Sequence, residues 1–174
     1  MFSMAAAASQ PLLLSIAKSL EQTSIALLVR ESLWGFQITV ALHILGMILS
    51  VGTVVWMDLR LLGLSMRRVP VSVAYRQLMP WAGAGFVVML VTGSMLLMAY
   101  ASNAYENPYF RAKFLALTLA GLNALVYHTT IERRIHQWDA QAQPPLPARM
   151  AGLLSILLWA GVVLAGRLTA YTLY

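Results

Sequence analysis

The chain of 174 residues contains no cysteine. That absence excludes a disulfide framework, a zinc–thiolate site, an iron–sulfur cluster and a cysteine nucleophile. Any metal or redox chemistry in this protein must therefore depend on other ligands, such as histidine or methionine.

Charged residues are scarce. Asp, Glu, Lys and Arg make up only 10% of the chain, whereas apolar residues make up 60%. So few polar side chains could not cover the surface of a soluble globular enzyme. Intrinsic disorder is excluded as well, because a disordered chain lacks this apolar content. The composition therefore predicts an integral membrane protein.

Four stretches that are free of charge, or nearly so, are long enough to cross a bilayer as helices of about 20 residues. The predicted spans are about 34–57, 78–101, 112–131 and 150–172. They lack the alternating pattern of a membrane β-strand, and backbone in lipid must form its hydrogen bonds internally. We therefore expect an all-α fold, an integral membrane four-helix bundle over residues 34–174.

Residues 1–33 form a separate N-terminal segment. Its part from 12 to 28 is apolar but carries Lys18 and Glu21, and its apolar residues recur at helical spacing. This pattern predicts an amphipathic helix in the plane of the membrane interface.

His43 lies in the middle of the first span, about 13 Å below the end marked by Trp34. A neutral imidazole buried there needs a partner, which can be a neighbouring helix, a metal ion or haem iron. Gly46, about one turn further on, leaves space for a flat group. Cofactor ligation, an interhelix hydrogen bond and proton handling are the three interpretations.

A haem between helices usually has two axial ligands at similar depth. His128 is one candidate for the second ligand, but helix rise places it about 21 Å deep, compared with about 13 Å for His43. At the depth of His43, the second span offers Met89, Thr92 and Met95 and the third span offers Asn123. A methionine thioether can ligate haem iron or copper. A His/Met site or a single ligand therefore stays open, with His43 as the candidate metal ligand.

Arg167 is the most costly residue for the bilayer, because a central arginine costs about 2.5–3.5 kcal/mol on insertion scales. It lies near the C-terminus and can extend to the headgroups. The alternatives are an ion pair with Glu31, or a bidentate bond to the propionates of a haem held by His43.

Asp58 and Arg60 end the first span. Two residues apart in a helix, they cannot face each other. We expect them to hold loop residues or the end of another span, in a structural role.

Basic residues are concentrated in two of the short loops. Seven of them lie between spans one and two or between spans three and four: Arg60, Arg67, Arg68, Arg76, Arg133, Arg134 and Arg149. The positive-inside rule places these loops in the cytoplasm and both termini outside. This topology explains the net charge of +6 without a nucleic-acid partner.

Several motifs together resemble a bacterial four-helix membrane-protein family catalogued as domain of unknown function 6644. They are E-S-L-W at 31–34, H-I-L-G at 43–46, D-L-R-L-L-G at 58–63, P-W at 80–81, T-G at 92–93, N-P-Y-F-R-A-K at 107–113, N-A-L-V-Y-H at 123–128 and S-I-L-L-W-A-G-V-V-L-A-G-R at 155–167. More distantly, the first-span histidine followed by glycine resembles the copper-resistance D-type and protoporphyrinogen-oxidase J-type membrane proteins. That second resemblance implies an association with haem or copper.

The expected function is that of a small b-type-cytochrome-like protein of the bacterial inner membrane. It would bind haem b, or copper as the alternative, and relay electrons to or from a periplasmic partner. The competing hypotheses are a non-catalytic anchor or assembly subunit, and a copper-handling or transport protein. Expected partners are the lipid bilayer and a protein, which can be a second copy of the chain. The sequence leaves open whether the protein is an enzyme.

Overall fold

The computed structural model describes residues 12–141 and 143–173, and every regular element within these ranges is helical. The helices are α1 (Leu12–Glu21), α2 (Ser24–Glu31), α3 (Gly35–Leu61), α4 (Val71–Ala99), α5 (Ala101–Glu106), α6 (Pro108–Val126) and α7 (Leu146–Leu173). A π-helical turn (Tyr127–Ile131) and a 3-10 helix (Glu132–Gln137) continue α6. The expected all-α fold is confirmed. Residues 1–11 of the predicted N-terminal segment lie outside the described part of the chain.

Four of these helices are long and apolar enough to cross a membrane: α3, α4, α7, and α6 with its continuation to Ile135. They contain 27 to 29 residues each, which corresponds to about 40 Å at the helical rise. The predicted multi-pass membrane architecture is confirmed.

The helices extend beyond the apolar windows that predicted them. The second window begins at residue 78, but α4 begins at Val71 and includes the exposed Arg76. A long basic side chain near a helix end can place its charge among the headgroups, so the helix does not stop where the charges begin. Likewise α6 begins at Pro108, behind an Asn107 side chain that accepts hydrogen bonds from two first-turn N–H groups.

The N-terminal segment forms two short helices, α1 and α2, bent by 65° at a break of two residues. Thr23 caps α2, since its hydroxyl accepts a hydrogen bond from the Ala26 N–H. α1 packs on α5, where the Glu21 carboxylate accepts a hydrogen bond from the Ser102 N–H at 2.8 Å. We call the end of the protein formed by α1, α2 and α5 the N-terminal rim.

The four long helices pack in the spatial order α4, α3, α7, α6. α3 contacts α4 most extensively and also contacts α7, while α6 packs on α7. In the described part of the chain, α4 and α6 do not pack along each other. The space between them is bridged at one end by α5 and at the other by the edge-to-face rings of Tyr75 and His128, 5.7 Å apart.

Small residues set the close approach of α3 and α4. A Cβ atom added to Gly85 would lie 2.6 Å from the Gly46 carbonyl oxygen and 2.6 Å from the Ser50 nitrogen. Backbones this close exclude any side chain at the contact, as is common between membrane helices. The contact fixes the register that places His43 opposite the later part of α4.

The largest buried cluster lies at the other end, which we call the basic rim and define by loops 62–70 and 132–145. Its core contains Met57, Leu61, Val71, Ala74, Tyr127, Trp138 and Ala148. The fully buried Arg60 donates from Nε to the Val69 carbonyl (2.8 Å) and from Nη2 to the Gln141 carbonyl (3.1 Å). Arg60 therefore holds loop residues in place, as the sequence led us to expect.

Asp139 completes the basic rim by capping α4 from the distant loop. Its Oδ1 accepts from the Ser72 N–H at 2.7 Å, and its backbone carbonyl accepts from the Val71 N–H at 3.1 Å. Asp139, which lies nearly 70 positions later in the chain, thus accepts hydrogen bonds from two first-turn N–H groups of α4.

Candidate functional site

His43 forms a hydrogen bond between α3 and α4. Its Nδ1 lies 2.9 Å from Thr92 Oγ1, and Thr92 is buried while His43 is half-buried. The sequence prediction that this imidazole needs a partner is confirmed, and the partner within the protein is a threonine hydroxyl.

The surroundings of Thr92 favour the tautomer of His43 in which Nδ1 carries the proton. The Thr92 hydroxyl has one hydrogen, and it lies 2.6 Å from the Val88 carbonyl, one helical turn earlier. With that hydrogen donated to Val88, Oγ1 accepts from His43 Nδ1–H. The Met89 carbonyl, which can only accept, also faces the ring, 3.5 Å from Thr92 Oγ1. This arrangement leaves Nε2 as the nitrogen with a free lone pair.

The ring of His43 also lies against a helix surface that has no side chain. A Cβ atom added to Gly93 would be 3.1 Å from His43 Cε1 and 3.5 Å from Nδ1. The T-G pair at 92–93 therefore has two functions: the threonine orients the ring, and the glycine makes room for it.

Lys113 on α6 is a basic group that interacts electrostatically with His43. It is half-buried, and a Cβ atom added to Gly166 of α7 would lie 3.6 Å from both its Cε and its Nζ. Among the described residues it forms no hydrogen bond or ion pair. The sequence analysis gave Lys113 no role beyond the motif at 107–113, although it is the sixth residue of α6 and its stem therefore lies inside the membrane span.

His128 does not join His43. Its Nδ1 lies 2.5 Å from the Glu132 carboxylate, and its ring contacts Tyr75. Tyr75 and Thr92 are 17 residues apart on α4, so the two histidines are separated by roughly 25 Å along that helix. A haem ligated by both is excluded, as the depths from the sequence already indicated.

The other two candidate ligands take different places. Asn123 donates from Nδ2 to the Ala151 carbonyl at 3.0 Å, so its amide joins α6 to α7. Met95 is half-buried on α4, three residues after Thr92. Within residues 12–141 and 143–173, no group of three or more His, Asp or Glu side chains is arranged to hold a metal ion.

Arg167 and Glu31 do not pair with each other. Arg167 Nη2 donates to the Tyr171 hydroxyl at 3.0 Å, and its guanidinium lies 4.6 Å from the centre of that ring. Glu31 pairs with its neighbour Arg30 at 3.8 Å, and both side chains are exposed. Arg167 therefore contacts Tyr171 on its own helix, one turn closer to the N-terminal rim, and does not pair with Glu31.

Comparison with known proteins places these residues in a family. Residues 22–172 match the family described as a family of unknown function, DUF6644. The chain belongs to DUF6644. The matched residues include His43, Thr92 and the whole basic rim of this DUF6644 protein. No curated protein and no solved structure matches the chain significantly.

Proposed function

We propose that this DUF6644 protein binds a haem-type cofactor through His43 Nε2 and relays electrons within the membrane. The observation that carries the proposal is the hydrogen bond from Nδ1 to Thr92, which leaves Nε2 with its lone pair. Histidines that ligate metals typically donate their other ring N–H to a partner that fixes the tautomer and the ring orientation. His43 already has such a partner.

The residues around His43 fit a haem. Among the described residues, α4 and α6 do not pack along each other, so no contact between these two helices covers the bundle on that side. Lys113 places a cation with no anionic partner within electrostatic reach of His43, where it suits a propionate carboxylate. Lys113 would thus take the role that was one of three alternatives for Arg167 in the sequence analysis. When bound, the cofactor would supply one-electron transfer, while the protein supplies the ligand, its orientation and a low dielectric.

The proposed setting is the bacterial inner membrane, with the basic rim in the cytoplasm and the N-terminal rim outside. The seven arginines in or next to the basic rim support this orientation: Arg60, Arg67, Arg68, Arg76, Arg133, Arg134 and Arg149. His43 lies in the half of α3 that is nearer to the N-terminal rim. A redox partner would therefore approach from the periplasmic side.

Absorption spectra of the purified protein, oxidised and reduced, test the proposal. We expect a Soret band that His43→Ala abolishes and that the matched control His128→Ala leaves unchanged, because His128 lies at the other rim. Stoichiometric metal analysis of the same sample distinguishes haem from copper. A colourless, metal-free wild-type protein would refute the cofactor role.

A second function, that of a membrane anchor or assembly subunit, is favoured by a different observation. The side chains of His43, Asn123 and Arg60 each hydrogen-bond to another helix or loop of this chain. Such bonds between helices are sufficient to stabilise a bundle without any cofactor. Under this alternative, substitution of His43 changes stability alone.

A further inference from the structure

A second polar group lies inside the protein, at the basic rim and away from His43. Asp58 is 5% exposed at the end of α3, beside the close contact where a Cβ on Gly152 of α7 would lie 3.1 Å from the Asp58 carbonyl oxygen. The Asp58 side chain has a hydrogen bond with Ser155, one turn further along α7. Its other oxygen, Oδ2, is buried and has no hydrogen-bond partner among the described residues.

No cation neutralises Asp58 in the described part of the chain. Arg60 is close in sequence, but its guanidinium donates to the Val69 and Gln141 carbonyls. The charged group that interacts electrostatically with Arg60 is Asp139. Burial of an unpaired carboxylate is costly. A proton on Asp58 removes that cost, and Ser155 can then accept or donate at the remaining oxygen.

Tyr127 is a second buried group with an unused polar atom. Its side chain is 7% exposed, and its hydroxyl has no partner among the described residues. The ionisable groups that act on it electrostatically are Glu132, Tyr75, Asp58 and Asp139. Tyr127 also begins the π-helical turn, and such turns often occur at functional sites.

Ionisable groups lie between Tyr127 and the protein surface at the basic rim. The rings of Tyr127 and His128 lie 5.3 Å apart, and His128 Nδ1 is 2.5 Å from Glu132 Oε2. The side chains of His128 and Glu132 are 40% and 28% exposed, so both reach the protein surface. Tyr127 in turn interacts electrostatically with Asp58.

We propose that Asp58 and Tyr127 form a proton-binding site that exchanges with the aqueous phase at the basic rim through His128 and Glu132. In uptake, hydronium transfers a proton to the His128–Glu132 pair and becomes water. A proton then passes to Asp58 Oδ2 by way of the Tyr127 hydroxyl, which has no partner within the described ranges and must move into hydrogen-bond contact with each group in turn. The transfer converts the carboxylate into a carboxylic acid. Release is the reverse, and no electron moves in either direction. The site does not depend on a cofactor at His43.

Infrared spectroscopy of the full-length protein in lipid nanodiscs tests this site. The wild-type protein should show the C=O band of a protonated buried carboxyl group, which shifts when H₂O is replaced by D₂O. Asp58→Asn should remove the band. The matched control Glu31→Gln, which changes an exposed carboxyl at the opposite rim, should leave the band unchanged.

The path is tested by the rate of deuterium exchange at that band. We expect Tyr127→Phe to slow the exchange by roughly a hundredfold, the lower end of the range for loss of a positioned proton-transfer group. Tyr109→Phe is the matched control, because Tyr109 is exposed at the opposite rim, and its exchange should match the wild type. Equal rates in Tyr127→Phe and wild type would overturn the path.

A variant that keeps Asp58 covers the case in which Asp58→Asn fails to fold. Ser155→Ala removes one hydrogen bond to the carboxyl group and should move its C=O band to higher frequency. If the wild type has no protonated-carboxyl band, or if Ser155→Ala leaves the band in place, Asp58 is not the proton-binding group and the proposal is wrong.

Discussion

Replacement of Thr92 by valine tests the contact on which the tautomer of His43 depends. Valine has nearly the same shape as threonine but cannot accept a hydrogen bond, so the variant leaves Nδ1–H without the acceptor at 2.9 Å. The Val88 carbonyl is not left unsatisfied, because the backbone of α4 still bonds to it. The change therefore isolates a single interaction between α3 and α4.

The expected loss of stability follows from the burial of the pair. Side-chain hydrogen bonds between membrane helices contribute about 0.6 kcal/mol on average and about 1.7 kcal/mol at most. A buried donor that loses its partner costs about 1–3 kcal/mol. Because His43 is half-buried and Thr92 is buried, we expect Thr92→Val to lower the free energy of unfolding by about 1–2 kcal/mol.

A double-mutant cycle with His43→Leu measures this interaction directly. Unfolding of the wild type, both single variants and the double variant is followed by circular dichroism in mixed micelles. We expect a coupling energy of about 0.6–1.7 kcal/mol, and Thr92→Ser should restore most of the stability. In a protein that carries the cofactor, Thr92→Val should also weaken cofactor affinity by about 10–100-fold. A coupling energy near zero would show that the two side chains are not bonded, and the assignment of Nε2 would fall with it.

Two further predictions concern packing and charge. Gly85→Ala should destabilise the bundle by about 1–3 kcal/mol, since its Cβ would meet backbone atoms 2.6 Å away. The control Gly83→Ala should be nearly neutral, because the added Cβ meets nothing within 4 Å. Equal melting temperatures for the two variants would contradict the close approach of α3 and α4. Arg167→Leu should change stability by less than about 0.5 kcal/mol, because its partner Tyr171 is exposed on the same helix. The variant should also leave any Soret band unchanged. Loss of that band would show that Arg167 contributes to the cofactor site.

The sequence was sufficient to predict the elements but not their mutual register. Long runs without charge indicate membrane helices, because the bilayer excludes unpaired charges and requires internal backbone bonding. His43 was identifiable for the same reason, as a polar residue in such a run. Its bond to Thr92 was not, because the facing of α3 and α4 depends on the contact between Gly46 and Gly85, which lie far apart in sequence.

Estimates of depth from the helical rise were correct for positions along the helix axes, but they did not predict the direction in which long side chains extend. It correctly separated His128 from His43, since a helix advances by a fixed rise per residue. It could not tell that Arg167 turns to Tyr171 on its own helix while Lys113 extends to Gly166 of α7. Flexible basic side chains can cover a turn or more of helix in either direction, and only packing decides between them.

The bonds of Arg60 have a consequence for the synthesis of the protein in the cell. Arg60 belongs to α3, but one of its acceptors, the carbonyl of Gln141, follows α6 in the chain. Asp139, which caps α4, is made equally late. A nascent chain that contains only α3 and α4 therefore lacks one acceptor of the Arg60 guanidinium and the residue that caps the start of α4. The first helical hairpin consequently acquires these hydrogen bonds only after the third span has been made.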